Sequence, residues 1–416
     1  MASIFTLQGR GLKLDSRADI EVHLEGVDPT EIEEIHLGGN TIGVEAAQAL
    51  AEFLSKTTKL RVADFADIFT GRLITEIPLA LSALCDALIG KHTLHEIDLS
   101  DNAFGGRSVD PLVPFLSSAL SLRVLKLNNN GLGPAGGAVV ADALSQLAQK
   151  IERGSRSNLR TVICGRNRLE DGAALAWADA LRAHGTLEEV RMPQNGIRMT
   201  GIAQLVRGLS ENAALAHLDL QDNTFAAEGA RVMADVLGGG AWAALRILNL
   251  SDCVLGEEGE VSPVVEALVK GVNAQLEVLQ LQNDNLETQA FALLASGLEK
   301  LPMLKRIEVQ WNEVDDEDEG LQALAGALRK RGGKLVIDDE EEEEEAEEEA
   351  EAEAEAEAEA EAEAKAEAAE AAEEVAKAEE KKAATPAAPA GEPLPPSLTD
   401  KTADSLADLL SKVTIQ

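Results

Sequence analysis

The sequence contains no tyrosine, and aromatic residues fill only 3% of its 416 positions. Aromatic rings usually supply much of the buried surface of a globular core. Hydrophobic residues nevertheless make up 45% of the chain. The composition therefore predicts a folded protein whose core consists of stacked layers of aliphatic side chains.

Cysteine is also scarce: the chain contains only Cys85, Cys164 and Cys253. An odd number at such wide spacing does not make a disulfide framework, which indicates a reducing compartment. The sequence also lacks an apolar run typical of a signal peptide or a membrane span. We therefore expect an intracellular protein with no membrane insertion.

Basic residues are few, since the chain has 37 Lys and Arg but 74 Asp and Glu, which gives a net charge of −37. This acidity argues against nucleic acid or an anionic membrane as a partner. Much of it lies between Asp338 and Glu380, where 24 acidic residues accompany two lysines. Such a run repels itself and cannot bury a core. We predict a disordered acidic segment over 338–382, then a Pro/Ala linker and a short C-terminal segment over 383–416.

Enzyme motifs are missing as well. The six histidines show no metal-site spacing to cysteines or carboxylates, and neither a G-x-x-x-x-G-K-[ST] loop nor a G-x-S-x-G elbow occurs. The glycines at 38–39 and 105–106 fit the turns of a repeat better than a phosphate site. We therefore expect a chain that is not itself an enzyme and has no metal or cofactor of its own.

What the sequence does contain is the frame L-x-x-L-x-L-x-x-N-x-L, ten times over. The frames begin at Ile32, Leu60, Leu94, Leu122, Leu159, Leu187, Leu215, Leu245, Leu276 and Leu304. This is the signature of leucine-rich repeats, in which each unit buries its apolar face only against its neighbours. Residues 1–337 are predicted to form an α/β leucine-rich-repeat solenoid, a crescent like that of ribonuclease inhibitor, with extended surface for a partner.

Each frame predicts a strand, a turn and a helix. Leu125 and Leu127 alternate with polar residues, as in a short half-buried strand. Asn130 stands where the chain turns out of that strand, and its amide can bond backbone groups left unpaired there. An amphipathic helix follows, so strands should line the concave side and helices the convex side. Residues 1–7 are predicted to add an edge strand. Three units replace the asparagine, with Ile68, Cys253 and Asp284.

The second and fifth units depart from the frame in ways that suggest a function. The second is six residues longer than the usual 28 and places Arg72 just after its strand, where it is either solvated or in contact with a partner. The fifth carries Arg166 and Arg168 on either side of its asparagine. With Lys126 and Arg191 on neighbouring strands, these two arginines predict a basic patch that would face negative groups on a partner.

Five segments, in this order, then become recognisable. They are 67–72 (DIFTGR), 99–105 (LSDNAFG), 129–134 (NNGLGP), 163–169 (ICGRNRL) and 220–225 (LQDNTF). Together with the long second unit and the acidic run after the last repeat, they resemble the Ran GTPase-activating proteins in their fungal form. The resemblance extends from about residue 3 to the acidic segment.

The resemblance implies that the chain binds the small GTPase Ran in its GTP form and stimulates GTP hydrolysis. Members of this family are understood to position the glutamine that Ran itself supplies, without inserting an arginine finger. GTP and Mg²⁺ would then be bound by the GTPase. The resemblance also implies a monomer, acting on Ran alone or together with a Ran-binding protein, in the cytoplasm or at the nuclear periphery, in support of nucleocytoplasmic transport.

The same resemblance assigns roles to individual residues. Asn129 matches the family's key asparagine and is expected to position the partner's switch region. Arg72 matches an arginine expected to support partner binding and the turn. Arg168 and Asp222 match further interface positions, and Arg166 joins them from the predicted basic patch.

Two other interpretations stay open. A non-catalytic scaffold or inhibitor, similar to ribonuclease inhibitor, would sequester its partner on the concave face. Removing Arg72 or Asn129 would then lower affinity, whereas in an activator it would lower the rate. In the third interpretation the acidic segment binds histones or other basic proteins and the repeats only anchor it, which leaves the rim motifs unexplained.

Overall fold

A computed structural model of the chain describes residues 3–152, 154–315 and 317–338. The predicted acidic segment, apart from Asp338, and the predicted segment 383–416 lie outside these described residues. The described residues therefore belong almost entirely to the predicted repeat region, 1–337.

In the described part, twelve short strands pair in chain order into one parallel sheet. These strands are β1 (Ile4–Thr6), β3 (Glu34–His36), β5 (Val62–Asp64), β6 (Glu96–Asp98), β7 (Val124–Lys126), β8 (Thr161–Ile163), β9 (Glu189–Arg191), β10 (His217–Asp219), β11 (Ile247–Asn249), β12 (Val278–Gln280), β13 (Arg306–Glu308) and β14 (Lys334–Val336). Two more strands, β2 (Lys13–Leu14) and β4 (Thr41–Ile42), pair in a second small sheet. Because all strands of the large sheet are parallel, their carboxyl ends meet at one edge.

Helices connect most of the strands. They are α1 (Arg17–Leu24), α2 (Val44–Ser55), α3 (Ile77–Leu88), α4 (Leu112–Leu116), α5 (Gly133–Gln149), α6 (Glu170–His184), α7 (Met199–Leu209), α8 (Ala226–Gly238), α9 (Pro263–Leu268), α10 (Thr288–Gly297) and α11 (Glu319–Arg329). A short 3₁₀ turn, Leu298–Lys300, follows α10. In the large sheet the central residue of every strand except β14, such as Leu125, is buried together with the apolar residues of the helices in one continuous core. The helices therefore cover one face of the sheet, and the predicted α/β leucine-rich-repeat solenoid is confirmed.

The structure contains a unit that the frame did not reveal. The predicted N-terminal edge strand is confirmed, because β1 pairs with β3 through Phe5 and Ile35. It continues, however, through a left-handed turn at Gly9 (φ 69°) into the helix α1, so the segment forms a complete unit. Arg10 occupies the position at which the frame expects asparagine. The missing asparagine explains why this unit was not recognised.

Buried asparagines join each turn to its neighbours. The Nδ2 atom of Asn195 donates to the Met192 carbonyl of its own unit (3.0 Å) and to the Cys164 carbonyl of the preceding unit (2.8 Å). Its Oδ1 atom accepts from the backbone amide of Asn167 (3.0 Å). The asparagines with equivalent side-chain bonds are Asn40, Asn102, Asn130, Asn167, Asn223 and Asn312. Each side chain therefore satisfies backbone groups of its own unit and of the preceding unit. We call this set the asparagine ladder.

Two of the three substituted positions are bridged in other ways. At Ile68 a backbone bond remains, from the amide of Ile42 to the Ile68 carbonyl (2.8 Å), of the kind that Gly133 also donates to Asn167 (2.9 Å). At Cys253 the buried sulfur lies 3.4 Å from the Leu220 carbonyl. Cys253 is therefore structural, and all three cysteines of the chain are free and buried.

Asp284 is the third substitution, and it leaves an atom unsatisfied. Its Oδ1 atom accepts from the amide of Cys253 (2.8 Å), but Oδ2 has no hydrogen-bond partner among the described residues. Burial is the main reason that the pKa of Asp284 is raised well above its ordinary value, and the nearby Asp252 carboxylate adds to the increase. We infer that Asp284 binds a proton more readily in the fold than an exposed aspartate does.

None of the helices within the described ranges has both the length and the apolar composition needed to span a bilayer.

Replacing Asn195 with alanine should destabilise the fold without harming function selectively. The change leaves two buried carbonyls and one buried amide without their side-chain partner, which lowers the free energy of unfolding by roughly 1–3 kcal/mol. Urea unfolding followed by circular dichroism measures the loss. Gln194→Asn, at the exposed neighbouring position, is the matched control and should stay near wild type. A normal midpoint for Asn195→Ala would contradict the ladder role.

Replacing Asp284 with asparagine should stabilise the protein by about 1–3 kcal/mol at pH 7, because Nδ2 can donate where Oδ2 is unsatisfied. An unfolded aspartate loses its proton near about pH 3.9, whereas the raised pKa of folded Asp284 moves this loss to higher pH. Wild-type stability therefore falls as pH rises above that value, and the gain from the substitution grows with pH.

Urea midpoints of both proteins between pH 4 and pH 8 measure this gain, with Asp142→Asn on the exposed side of α5 as the control. A gain of the same size at pH 4 and at pH 7 would show that the fold does not raise the pKa of Asp284.

Candidate functional site

The carboxyl edge of the sheet carries one turn residue from each of the ten frames, just before the ladder position, and most of these residues are exposed. All ten have a left-handed backbone, with φ of 53° at Asn129, 56° at Arg166 and 52° at Asp222. We call this set the outer turn row; it comprises Gly39, Asp67, Asp101, Asn129, Arg166, Gln194, Asp222, Asp252, Asn283 and Trp311. Glycine, asparagine and aspartate tolerate this conformation best, which explains why they predominate in the row.

The row follows the register of the strands. The amide of Asn129 donates to the Gly165 carbonyl of the next unit (2.9 Å), and the amide of Asp101 donates to the Asn128 carbonyl (2.9 Å). Successive members of the row are therefore about 4.8 Å apart, the spacing of neighbouring strands. The structure places Arg166 one spacing from Asn129 and Asp222 three spacings from it.

The adjacent residues Asn129 and Asn130 have opposite environments. Asn130 is fully buried, and its Nδ2 atom donates to the Leu99 carbonyl (2.9 Å) and the Leu127 carbonyl (3.1 Å). Asn129 is exposed, and its Nδ2 atom donates to Oδ1 of Asp101 (2.8 Å). The two neighbouring side chains therefore point in opposite directions, Asn129 outward and Asn130 inward.

Asp101 fixes how Asn129 presents its amide. A carboxylate only accepts hydrogen bonds, so Asp101 holds the Nδ2 end of Asn129 toward itself. One Nδ2 hydrogen and the whole Oδ1 atom are left for a partner, since the structure gives them no bond to another described residue. Asp101 was not among the site residues predicted from the sequence, although it occupies the equivalent position 28 residues earlier.

The same amide–carboxylate pair occurs once more in the row. Asn283 donates to Oδ1 of Asp252 (2.7 Å), with a left-handed φ of 50°. The hydrogen bond between Asn129 and Asp101 is therefore not enough by itself to mark a functional site. What distinguishes it is its place beside Arg166 and Arg168.

Arg72 is not the solvated rim arginine that one interpretation of the sequence expected. Its side chain is only 9% exposed. The guanidinium donates to Oγ1 of Thr41 (2.8 Å), the Thr41 carbonyl (2.8 Å) and the Leu14 carbonyl (3.3 Å), and it also pairs with Asp15. Arg72 thus supports the turn, as the resemblance implies, by joining the long second unit to the two units before it.

The predicted basic patch is smaller than its residue types suggested. Lys126 is paired with Glu96 (2.6 Å) and lies 3.8 Å from Asp98, and Arg191 lies 3.6 Å from Asp219. Arg166 and Arg168 are exposed and take part in no ion pair with the described residues. Within the predicted patch, the positive charge available to a partner is therefore that of Arg166 and Arg168, next to Asn129.

Asp222 is exposed in the row, beyond Gln194. Partial burial, and then the neighbouring Asp252 carboxylate, raise the pKa of Asp222. The two carboxylates make this end of the row negative, in contrast to the arginines of the fifth unit.

The opposite edge of the sheet contains a cavity of about 640 Å³ that includes Ser157 and His184. Oγ of Ser157 lies 2.6 Å from Nδ1 of His184, whose Nε2 atom is hydrogen-bonded to the Leu144 carbonyl (3.1 Å). Burial lowers the pKa of His184 to about 4, so the ring is neutral at pH 7. Both side chains are buried, and the ring is held by a carbonyl instead of a carboxylate, so the pair serves packing and not nucleophilic catalysis.

Comparison with known proteins places the chain among its relatives. The family described as "Leucine Rich repeat" matches residues 30–51, 90–113 and 119–141. Ran GTPase-activating protein 1 of Saccharomyces cerevisiae is 35% identical over 332 residues, which cover 77% of this chain and 81% of the yeast protein. Ran GTPase-activating protein 1 of Xenopus laevis is 45% identical over 197 residues, covering 46% of this chain and 34% of that protein. Ribonuclease inhibitor of Sus scrofa is 27% identical over 62% of this chain and 54% of the inhibitor.

The yeast relative decides the family, because the similarity covers more than three quarters of both chains. The ribonuclease inhibitor shares the repeats at lower identity and over about half of its own length. The chain belongs to the Ran GTPase-activating protein family.

Proposed function

We propose that this protein binds a Ran-type small GTPase in its GTP form and stimulates hydrolysis of the bound GTP. The observation that carries the proposal is the 35% identity to yeast Ran GTPase-activating protein 1 over 81% of that protein. The exposed Asn129, fixed by Asp101 beside two unpaired arginines, supports it. The reaction takes place in the active site of the GTPase, which binds GTP and Mg²⁺, and this chain contributes no cofactor.

Asn129 acts by positioning and not by proton transfer. An amide side chain does not titrate at working pH, but it donates and accepts at the same time. Asp101 holds it in one orientation before the partner arrives, so little freedom is lost on binding. In the complex, Asn129 fixes a polar group of the GTPase switch region, so that the glutamine of the GTPase holds the attacking water in line.

No arginine of this chain has to enter the nucleotide site. Arg72 would have to break its bonds to Thr41, Leu14 and Asp15 in order to extend, which makes it unsuitable as a finger. Arg166 and Arg168 are free of ion pairs among the described residues, and we assign them to attraction and docking of a negative partner surface. Asp222 contributes at the far end of the same contact.

The further properties implied by the family are proposals too. We place the protein in the cytoplasm or at the nuclear periphery, as a monomer that acts on Ran alone or with a Ran-binding protein, in support of nucleocytoplasmic transport. The similarity to ribonuclease inhibitor keeps one alternative in view, a scaffold that sequesters its partner without activating it.

Hydrolysis by purified, GTP-loaded Ran with catalytic amounts of this protein tests the function. An activator turns over many Ran molecules, so the initial rate rises in proportion to the small amount added. A scaffold binds one partner at a time and leaves the rate unchanged at that ratio. Unchanged hydrolysis therefore overturns the proposal.

Asn129→Ala should fold normally but lose on the order of 2–4 kcal/mol of transition-state stabilisation, comparable to the loss of one preorganised donor. Asn130→Ala should do the reverse, with early unfolding and normal activity per folded molecule, because Asn130 is a ladder residue. Single-turnover hydrolysis and melting curves of both variants separate the two roles.

Asn283→Ala is the matched control for Asn129→Ala. It removes the same kind of amide–carboxylate bond from the same left-handed position, five units further along the row. Both variants should therefore share any small loss of stability, and only Asn129→Ala should lose rate. Equal rates in the two variants would mean that this turn is not the site.

A further inference from the structure

Two large aliphatic side chains stand exposed in the long loop of the second unit. Leu73 is 65% exposed and Ile74 is 55% exposed. They follow each other directly in the loop that joins β5 to α3. Single exposed aliphatics are ordinary on a protein surface, whereas consecutive ones offer a larger apolar area that a partner can cover.

Arg72 fixes this loop to the preceding units. Its guanidinium makes its bonds to Thr41, Leu14 and Asp15, in the two preceding units, and the next residue in the chain is Leu73. A lysine could supply the charge but not the several donors that a guanidinium directs to different acceptors at once. The position of Leu73 is therefore set by the geometry of Arg72.

Further hydrogen bonds restrict both ends of the loop. At its start, Oγ1 of Thr70 donates to Asp67, and the Thr70 carbonyl accepts from Oγ1 of Thr41 (2.8 Å). At its end, the amide of Leu73 donates to the carboxylate of Glu76 (3.2 Å). The exposed aliphatic side chains thus project from a braced loop, which lowers the entropy lost when a partner covers them.

The loop lies at the same edge of the sheet as the candidate site. It begins at Asp67, a member of the outer turn row, and Asn129 stands two strand spacings further along that row, about 10 Å away. A small GTPase docked on Asn129 is much wider than this distance and would extend over the loop.

We propose that Leu73 and Ile74 form an apolar contact with the GTPase docked at this edge, and that Arg72 is the positioning residue that holds them. The inference rests on the proposed function and names a second part of the same interface. The occupant is a protein surface and not a lipid, because the loop is bordered by Asp67 and Glu76 on an acidic chain that repels anionic membranes. Arg72 thereby supports partner binding indirectly, by holding Leu73 and Ile74 in place.

The test compares Leu73→Ser/Ile74→Ser with wild type in multiple-turnover hydrolysis by GTP-loaded Ran. Losing two buried aliphatic contacts should raise KM about tenfold or more. The value of kcat should stay within about twofold, because uniform binding is removed and the positioned amide is kept. Leu175→Ser, equally exposed on α6, is the control and should leave both constants unchanged.

Arg72→Lys tests the positioning role. It should raise KM like the double variant, and combining the two should add little, because residues that act through one another are not additive. Arg17→Lys, which alters an exposed ion-paired arginine of α1, is the matched control. Melting curves show whether any variant has lost its fold.

The outcomes separate the inference from the function. An active wild type with an unchanged KM in a folded Leu73→Ser/Ile74→Ser variant overturns the contact and leaves the function standing. Full additivity of Arg72→Lys with the double variant overturns the positioning role. A wild type that neither binds nor activates Ran overturns both proposals.

Discussion

The asparagine ladder is the interaction on which the rest of the structure depends. Three-residue strands cannot hold a turn in place by themselves, and each turn buries carbonyls that its own backbone leaves unpaired. A ladder side chain such as Asn195 donates to carbonyls of two units at once and accepts a hydrogen bond from a backbone amide. The edge of the sheet is thereby rigid from unit to unit, and that rigidity lets a neighbouring residue such as Asn129 serve as a positioned group.

The candidate site uses this rigidity in two ways. Asn129 stands one residue before a ladder member, so its backbone is fixed by Asn130 while its side chain faces outward to Asp101. The long second unit has Ile68 instead of a ladder asparagine, and there Arg72 joins the turn to the units before it. In this unit a charged side chain adds a bridge of its own, and the loop that it holds is the one that exposes Leu73 and Ile74.

The repeat architecture could be predicted from the sequence because its cause is local and periodic. The frame places Leu125 in the core and Asn130 in the turn without knowledge of any distant contact, and both lie where expected. The complete N-terminal unit was missed because Arg10 breaks the pattern. The partners of Arg72, Lys126 and Asn129 could not be predicted, since each bond joins residues 28 to 58 positions apart whose pairing follows only from the stacked register.

The ladder and the outer turn row occupy adjacent positions in each unit, so selection for folding and selection for recognition act on different residues. Each unit offers one position that the core constrains, such as Asn223, and directly before it one that the core does not touch, such as Asp222. Substitutions in the row change a line of surface groups at a fixed interval of about 4.8 Å and leave the packing alone. A repeat protein built in this way can acquire a new binding specificity one unit at a time, because the sequence changes that alter recognition are not those that endanger folding.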